Sequence, residues 1–512
     1  MLDIDICQSA RLSRDARFDG KFYTAVLTTG IFCRPVCPAR PPNPENVRYY
    51  QSAELAQNSG FRPCKRCFPE LAPAPLLPEK IRRIVQSYYE NNNSVSQCAK
   101  DQQISKRQLQ RLFVQYYGLA PSEFFHQQRL LQARKLLTTT HLSMTNIAYA
   151  AGFNSVRRFN EVIKSAYGVT PSEIRGKKLT GKNNDIFDGS PTSETTNTVT
   201  ILLPYRPPFD WPLMLSFFRF RQISNIEKVS ETEYCRNFIL ENCHGWFKVS
   251  QSADKENYKT KHALELTVSM NDFSYLNQVI TRVRKMFDLD ADMSLIHQHL
   301  SSHSVLNKVI SQYPGLRLPG CWNIFEFSIR AILGQQISVK AATTLAQRIA
   351  EKYGCDLEQA QSPYAEMTKH FPTPEQLKQV DYSGIGLTQS RLATLHRWVD
   401  FYLATPNVFE KSENIETLEK TLTQLKGIGP WTVNYIAMRG LSDPDAFPSA
   451  DLGIIKALTE NDERPNNKAI LATAQQWRPW RAYAAIFLWQ SLAITNATTT
   501  QNSKQKTPKK EK

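Results

Sequence analysis

At 512 residues the chain is too long for one hydrophobic core, so three or four domains are expected. Lys plus Arg outnumber Asp plus Glu by 63 to 47, a formal charge of +16, which points to a polyanionic partner, most simply nucleic acid. No uninterrupted apolar run reaches about 18 residues, no lipidation signature is present and the acidic start Met1–Ile6 is no signal peptide. A membrane is therefore argued against and an intracellular, cytoplasmic setting is expected, with the ten cysteines reduced.

In chain order, the first informative element is a pair of cysteine knuckles, Cys33-x3-Cys37 and Cys64-x2-Cys67. Two close pairs of thiolates can reach one tetrahedral zinc ion, because each pair sets both sulfurs on one side of a tight turn. Pro35 and Pro63 stiffen the knuckles, and Arg34, Arg40, Arg62, Lys65 and Arg66 crowd around them. A four-thiolate zinc centre is electron-rich and its sulfurs stay nucleophilic at neutral pH, since the metal holds them deprotonated. A bare four-cysteine pattern is most often a structural ribbon; here the flanking residues carry more. The other cysteines (Cys7, Cys98, Cys235, Cys243, Cys321, Cys355) read as buried small apolar residues.

Over residues 10–70, Asp19-Gly20 ahead of Tyr23, then Thr29-Gly30-Ile31-Phe32-Cys33-Arg34-Pro35, Glu45-Asn46-Val47 and Gly60-Phe61-Arg62-Pro63-Cys64-Lys65-Arg66-Cys67 closely resemble the N-terminal domain of the bacterial Ada family. The resemblance implies a zinc site in which Cys33 irreversibly accepts a methyl group from a methylphosphotriester in DNA. Turning a thiolate into a thioether removes one negative charge, which lessens repulsion from DNA phosphates and serves as a switch. It also implies DNA contacts by Thr29, Arg40 and Arg62. Pro38 stands where the family carries a basic residue, so one phosphate contact is expected to be missing.

Phe68 to Pro78, with four prolines from Pro69 to Pro78, reads as a stiff spacer. Beyond it the chain repeats itself: Tyr117-Gly118-Leu119-Ala120-Pro121-Ser122-Glu123 returns as Tyr167-Gly168-Val169-Thr170-Pro171-Ser172-Glu173. Each copy follows a basic amphipathic stretch opened by a serine able to cap a helix, at Ser105 and at Ser155. A short helix precedes each, and a long helix around Phe124 to Leu137 joins the two units. This double helix-turn-helix resembles the AraC-type DNA-binding domain over about residues 78–176; two such units one helical turn apart read adjacent major grooves. Lys106, Arg107, Gln110, Arg157 and Arg158 are the side chains expected at bases or phosphates. Gly176 to Thr198 reads as a flexible polar linker, and Thr498 to Lys512 as a disordered basic tail.

In the last 300 or so residues, Leu425-Lys426-Gly427-Ile428-Gly429-Pro430-Trp431-Thr432 reads as a helix-hairpin-helix. Gly427 and Gly429 let a DNA backbone approach, and the amides opening the second helix bind phosphate. Carbonyls of this turn, here those of Thr423, Leu425 and Gly427, can also hold a monovalent cation. With Tyr205-Arg206-Pro207-Pro208-Phe209-Asp210-Trp211, Pro314-Gly315-Leu316-Arg317-Leu318-Pro319-Gly320-Cys321, Ala331-Ile332-Leu333-Gly334-Gln335-Gln336-Ile337-Ser338 and Trp477-Arg478-Pro479-Trp480-Arg481-Ala482-Tyr483, residues 200–495 resemble the helix-hairpin-helix glycosylases, closest to the AlkA-type 3-methyladenine DNA glycosylase II.

That resemblance implies base flipping and hydrolysis of the N-glycosidic bond of alkylated bases. It makes Asp451 the catalytic carboxylate, Trp431, Tyr435, Trp489 and Phe217 the base pocket, and Gln336 the wedge that fills the gap of the flipped nucleotide. Relatives that also cut the strand place a lysine where this chain has Trp431, which implies a monofunctional enzyme. Relatives with an iron–sulfur cluster carry four C-terminal cysteines, and none follows Cys355, so no cluster is expected. The Pro-Cys-His-Arg motif of the methylguanine methyltransferase that usually follows the Ada zinc and AraC modules is absent.

The expected architecture is multidomain and mainly α with α+β parts. It comprises a small α+β four-cysteine zinc domain (1–75), a double helix-turn-helix all-α domain (78–176), a linker (177–198), an antiparallel α+β subdomain (199–285), an all-α helix-hairpin-helix glycosylase domain (286–495) and a disordered tail (496–512). The expected function is a methyl acceptor and transcriptional regulator fused to an alkylbase glycosylase, with alkylated and promoter DNA and RNA polymerase as partners, acting as a monomer. The alternative is a repair glycosylase whose zinc and helix-turn-helix modules only deliver it to DNA. A third reading is a transcription factor with a decayed glycosylase fold, against which Asp451 and the aromatic set argue.

Overall fold

The computed structural model describes residues 3–505 apart from 73–80, 180–197, 253–261 and isolated positions (82, 83, 86, 87, 90–93, 103, 358–361, 379, 412, 413, 460 and 461). Most of the proline spacer and of the 177–198 linker thus lies outside the described residues. Two compact units emerge. One comprises Met1–Pro207, Ser224–Arg284 and Asp356–His370; the other comprises Pro208–Ile223, Lys285–Cys355 and Phe371–Lys512. Among the described residues no helix is long and apolar enough to cross a membrane.

The first unit begins with α1 (Ile4–Ser13) and a four-stranded sheet ordered β3-β1-β2-β4, built from β1 (Tyr23–Val26), β2 (Ile31–Cys33), β3 (Val47–Tyr50) and β4 (Arg62–Pro63). The β1–β2 hairpin pairs Thr24 with Cys33, while β4 runs parallel to β2 with Phe32 opposite Pro63. That parallel pairing brings the second knuckle to the first: the Cys64 N–H donates to the Phe32 carbonyl at 2.9 Å. Helix α2 (Ala53–Asn58) is capped by Ser52 and packs Ala53 and Ala56 onto Tyr23, Ala25 and Phe32.

Next come α3 (Val95–Asp101), α4 (Lys106–Tyr117), α5 (Pro121–Thr139), α6 (Met144–Ala150), α7 (Val156–Tyr167) and α8 (Pro171–Leu179). The sequence repeat is a repeat of helix punctuation. Ser105 caps α4 in a capping box with Gln108, and Ser155 caps α7. Gly118 and Gly168 end these helices in the left-handed region at φ 65° and 71°, which costs a residue without Cβ little. Pro121 and Pro171 then open the following helices, where a missing N–H loses nothing. Helix α8 continues to Leu179, past the point where the linker was expected to begin.

These modules share cores. Leu131 of α5 lies in the zinc module's apolar cluster, and Leu55 of α2 packs on the cluster of Leu109, Phe113, Tyr117, Phe124 and Phe125. Buried polar ties add to this: Arg134 pairs with Glu70, and the Arg206 Nε–H donates to the Asp19 carbonyl at 3.1 Å. A five-stranded antiparallel sheet, ordered β5-β9-β8-β7-β6, completes the unit: β5 (Thr198–Pro204), β6 (Glu227–Val229), β7 (Glu233–Leu240), β8 (Cys243–Gln251) and β9 (Ala263–Met270). Asn277, just after it, donates to the Ala150 carbonyl at the end of α6 at 2.6 Å.

The unit boundaries cross those drawn from sequence. Helix α9 (Trp211–Arg219), from within 199–285, belongs to the second unit, where Trp211 packs edge-on against Phe287. Asp356–His370, from within 286–495, belongs to the first, where the Lys369 N–H donates to Asn225 and the Asn237 side chain to the Met367 carbonyl. The stretch 286–495 is also not wholly α: Cys355–Asp356 and Lys369–His370 form a two-stranded ribbon.

The second unit is helical around α10 (Ile324–Leu333), which is almost wholly buried. It further contains α11 (Val339–Tyr353), α12 (Gln389–Ala404), the hairpin pair α13 (Ile415–Leu422) and α14 (Pro430–Gly440), the short α15 (Leu452–Ala457), and α16 (Arg481–Gln505). Helix α16 runs through 496–505, where disorder was expected; the rest of the tail lies outside the described residues. Cys7, Cys98, Cys235 and Cys243 are buried as expected, whereas Cys321 and Cys355 are only half-buried.

Candidate metal centre and aromatic–carboxylate pocket

The four Sγ atoms of Cys33, Cys37, Cys64 and Cys67 lie within 4.8 Å of one another. Zinc–sulfur bonds of about 2.3 Å in a tetrahedron put sulfurs roughly 3.8 Å apart, so the cluster fits one zinc ion, and its all-thiolate donor set suits that metal. The sulfurs are not equivalent. Backbone N–H groups of Arg34 and Arg66 donate to Cys67 and Cys64, both at 3.3 Å, and both of these cysteines are buried. Cys33 and Cys37 are half-buried.

Arg34, one of the charges expected to crowd around the knuckles, is 5% exposed and grips the Asp19 carboxylate through Nε (2.9 and 3.1 Å) while donating to the Cys67 carbonyl at 3.2 Å. Burying a guanidinium is costly unless its donors and charge find partners, and here Asp19 and the Cys67 carbonyl supply them. Arg40, Arg62, Lys65, Arg66 and Thr29 are exposed.

On α4, Lys106, Arg107 and Gln110 are exposed, as are Arg157 and Arg158 on α7. Sequence reasoning overlooked Glu161, one turn further on, which pairs with Arg157 at 3.1 Å and Arg158 at 3.7 Å. The i,i+4 spacing was its signal.

In the second unit, Asp451 caps α15 and gathers four N–H donors. Its Oδ1 accepts from Gly453 (2.8 Å), Ile454 (3.3 Å) and the Trp489 indole (2.9 Å), and its Oδ2 from the Trp431 indole (3.0 Å). A carboxylate so held is fixed in orientation. Trp431 stacks on Tyr435 at 5.2 Å and 11°, and Tyr435 meets Trp489 edge-on at 6.3 Å. Two of the four expected pocket aromatics therefore bond the expected carboxylate, and a third, Tyr435, packs against both.

Among the described residues, Phe217 on α9 is linked to this group through arginines that sequence reasoning missed. The Arg221 guanidinium lies 3.7 Å from the Phe217 ring centroid and that of Arg439 4.6 Å. Arg439 is buried, donating to the Pro319 carbonyl at 2.9 Å, the Gly320 carbonyl at 3.1 Å and the Tyr435 hydroxyl at 3.1 Å. Burial would raise the Tyr435 phenol, but Arg439 and Arg221 outweigh it and hold it below its ordinary value. The sequence signal was spacing: each arginine stands four residues after an aromatic, Phe217 and Tyr435.

Gln336 is exposed at φ 58°, a conformation rare for a residue with a side chain. Its neighbour Gln335 turns inward, donating to the Gly427 carbonyl and the Thr432 hydroxyl at 2.9 Å each. Gly427 sits at φ 100°, and a Cβ there would lie 2.1 Å from the Thr394 hydroxyl oxygen. Gly429 is the N-cap of α14, whose first amides have no side-chain cap. Of the carbonyls expected to hold a cation, that of Gly427 accepts from Gln335 and that of Leu425 from the Ile428 N–H.

Residues 6–70 match the metal binding domain of Ada, 98–177 a helix-turn-helix domain and 200–323 the AlkA N-terminal domain. The chain is 34% identical over 499 residues to the probable bifunctional transcriptional activator/DNA repair enzyme AlkA of Mycobacterium tuberculosis, covering 96% of this chain and 97% of that protein. It is 30% identical over 290 residues to DNA-3-methyladenine glycosylase 2 of Escherichia coli, 56% of this chain and 95% of that one. Its first third is 36% identical over 166 residues to the bifunctional transcriptional activator/DNA repair enzyme Ada of Escherichia coli, 32% of this chain and 47% of that protein.

Proposed function

The chain belongs to the family of bifunctional transcriptional activator/DNA repair enzymes of the AlkA kind, and on that premise we propose how its residues divide the work. It is a DNA-alkylation response protein in which a methyl acceptor and transcriptional activator is joined to a DNA-3-methyladenine-type glycosylase. Our division assigns 1–75 to methyl acceptance, 78–176 to promoter reading, 199–285 to the α+β subdomain and 286–495, with α9, to base excision.

For excision, the flipped alkylated base enters beside Trp431 and Tyr435, whose paired rings offer an electron-rich face. The bond from C1′ to the base nitrogen breaks with both electrons leaving on the base, and positive charge develops on the sugar. Asp451, oriented by the Trp431 and Trp489 indoles, stabilises that charge; water adds at C1′ and gives up its proton to solvent, leaving an abasic site. No lysine stands at position 431 to form a covalent adduct, which favours hydrolysis alone. The observation that carries this reading is Asp451 held between two indoles, one of them stacked on Tyr435. Asp451→Asn should abolish release of 3-methyladenine from duplex DNA, and full retention of rate would overturn the assignment.

For methyl acceptance, Cys33, Cys37, Cys64 and Cys67 would hold a zinc ion, which keeps the thiolates deprotonated at neutral pH. The Cys33 sulfur attacks the methyl carbon of a phosphotriester; the S–C bond forms as the C–O bond breaks, and the phosphodiester leaves with that electron pair. N–H donors to Cys64 and Cys67 damp those two sulfurs, which supports Cys33 as the nucleophile. Thr29, Arg40 and Arg62, with Lys106, Arg107, Gln110, Arg157 and Arg158, are our assigned DNA contacts, Gln336 the wedge, and Gly427 and Gly429 the phosphate-binding turn. A monovalent cation at Thr423, Leu425 and Gly427 would share carbonyls already accepting one hydrogen bond at two of the three positions.

A further inference from the structure

Gly453 is the second residue of α15, and its N–H donates to Asp451 Oδ1 at 2.8 Å. Its backbone needs no glycine: φ lies outside the left-handed region, and alanine is the better residue inside a helix. What the position requires is space. A Cβ placed there would lie 2.8 Å from Cδ1 and 3.0 Å from Nε1 of Trp489, and 3.0 Å from Asp451 Oδ1. The last two atoms are the ends of the 2.9 Å hydrogen bond between the indole and the carboxylate. Carbon atoms in contact sit roughly 3.5–4.0 Å apart, so one methyl group would push that bond open. The indole is no flexible chain end that yields at little cost. Its ring rests edge-on against Tyr435 at 6.3 Å, and Tyr435 in turn stacks on Trp431.

We propose that Gly453 is a positioning residue for base excision: by carrying no side chain it lets the Trp489 indole close on Asp451. With that indole in place the carboxylate is held at both oxygens, by Trp489 at Oδ1 and by Trp431 at Oδ2. With a methyl group at position 453, the indole bond at Oδ1 is lost and the carboxylate is free to turn about the Trp431 bond. Gly453 thus acts through Trp489. An alanine there costs excision what loss of one donor to a charged acceptor costs, roughly ten- to hundredfold in rate.

Gly453 has this role only if Asp451 is the catalytic carboxylate, as assigned above. The test is a double-mutant cycle read as single-turnover release of 3-methyladenine at saturating enzyme. Gly453→Ala is expected to slow release roughly ten- to hundredfold in a chain that keeps Trp489. In the Trp489→Ala background, where the methyl group meets no ring, it is expected to slow release by less than about threefold. The indole N–H resonance that vanishes in Trp489→Ala identifies Trp489. In Gly453→Ala that resonance is expected to move upfield as the N–H leaves the carboxylate, a signature that needs no activity and that a general loss of stability does not produce. An unmoved resonance, full rate in Gly453→Ala, or an equal slowing in both backgrounds would overturn the proposal and leave Gly453 a packing residue. Full rate in Asp451→Asn would instead overturn the catalytic assignment, and this one with it.

Discussion

The indole N–H of Trp431 donates to Oδ2 of Asp451 at 3.0 Å while the same ring lies stacked on Tyr435. One side chain thus orients the carboxylate and, on our assignment, walls the pocket, and the two roles are separable. Trp431→Phe keeps a stacking ring and removes the donor. Its kcat for base release should fall about 10- to 100-fold with KM little changed, because the lost interaction matters most when charge develops on the sugar. Trp431→Ala should raise KM as well. Steady-state kinetics on one lesion duplex separate the two, and equal effects of both variants on KM would count against the division.

Metal removal should reach beyond the thiolates. Leu131 of α5 sits in the zinc module's core, and Leu55 of α2 packs on the helix-turn-helix core. Structural zinc in small modules is worth about 10–16 kcal/mol of folding free energy, so stripping it should loosen that shared packing. A chelator is expected to lower promoter affinity at fixed salt along with methyl transfer. Unaltered promoter binding by zinc-free protein would show the two cores to be independent.

Glu161 pairs with Arg157 and Arg158, so on our assignment of these arginines to DNA it would compete with phosphate for them. Glu161→Gln should tighten nonspecific duplex binding at low salt. Arg158→Ala should weaken it and reduce the slope of log affinity against log salt by about one. Fluorescence anisotropy across a salt series reads both; a slope unmoved by Arg158→Ala would take that residue off the phosphate backbone.

Lys135 introduces a pH dependence into the first unit. Burial first, then Arg284, draw it from 10.5 down to about 7, with Glu70 opposing; Glu70 is already paired with Arg134. Between about pH 7 and 10.5 the unfolded chain holds more of this proton than the folded one. Lys135 therefore adds stability as pH rises through that window and withholds it at and below pH 7. Lys135→Met is expected to raise the urea midpoint of the first unit at pH 7 and to flatten its rise toward pH 9.5. Parallel midpoint curves for the two proteins would sink the idea.

Methylation supplies the test of regulation. Affinity for the DNA upstream of its own coding region should rise once Cys33 carries the methyl group, because one negative charge has left the protein. No rise, with base excision intact, would favour a repair enzyme whose N-terminal modules only deliver it to DNA.

What the sequence by itself determined is whatever short-range chemistry writes. Ser105, Ser155, Gly118, Gly168, Pro121 and Pro171 mark helix ends by bonds that span a few residues, so the double helix-turn-helix was legible as a repeat. The cysteine knuckles and the Gly427–Gly429 turn were legible for the same reason, whereas Asp451 was singled out by the resemblance to the glycosylases. Tertiary structure alone decided which charges face inward. Arg34 turns to Asp19, fifteen residues earlier, and Arg439 to the Pro319 and Gly320 carbonyls, 120 and 119 residues away. It also decided that Trp431 and Trp489, 20 and 38 residues from Asp451, point their N–H groups at one carboxylate, and that Asp356–His370 leaves its neighbours in sequence for the edge of a sheet. An arginine carries the same charge wherever it stands. Whether it meets water, a carboxylate or a ring is set by burial against residues far away in the chain, where an unpaired charge is too costly to keep.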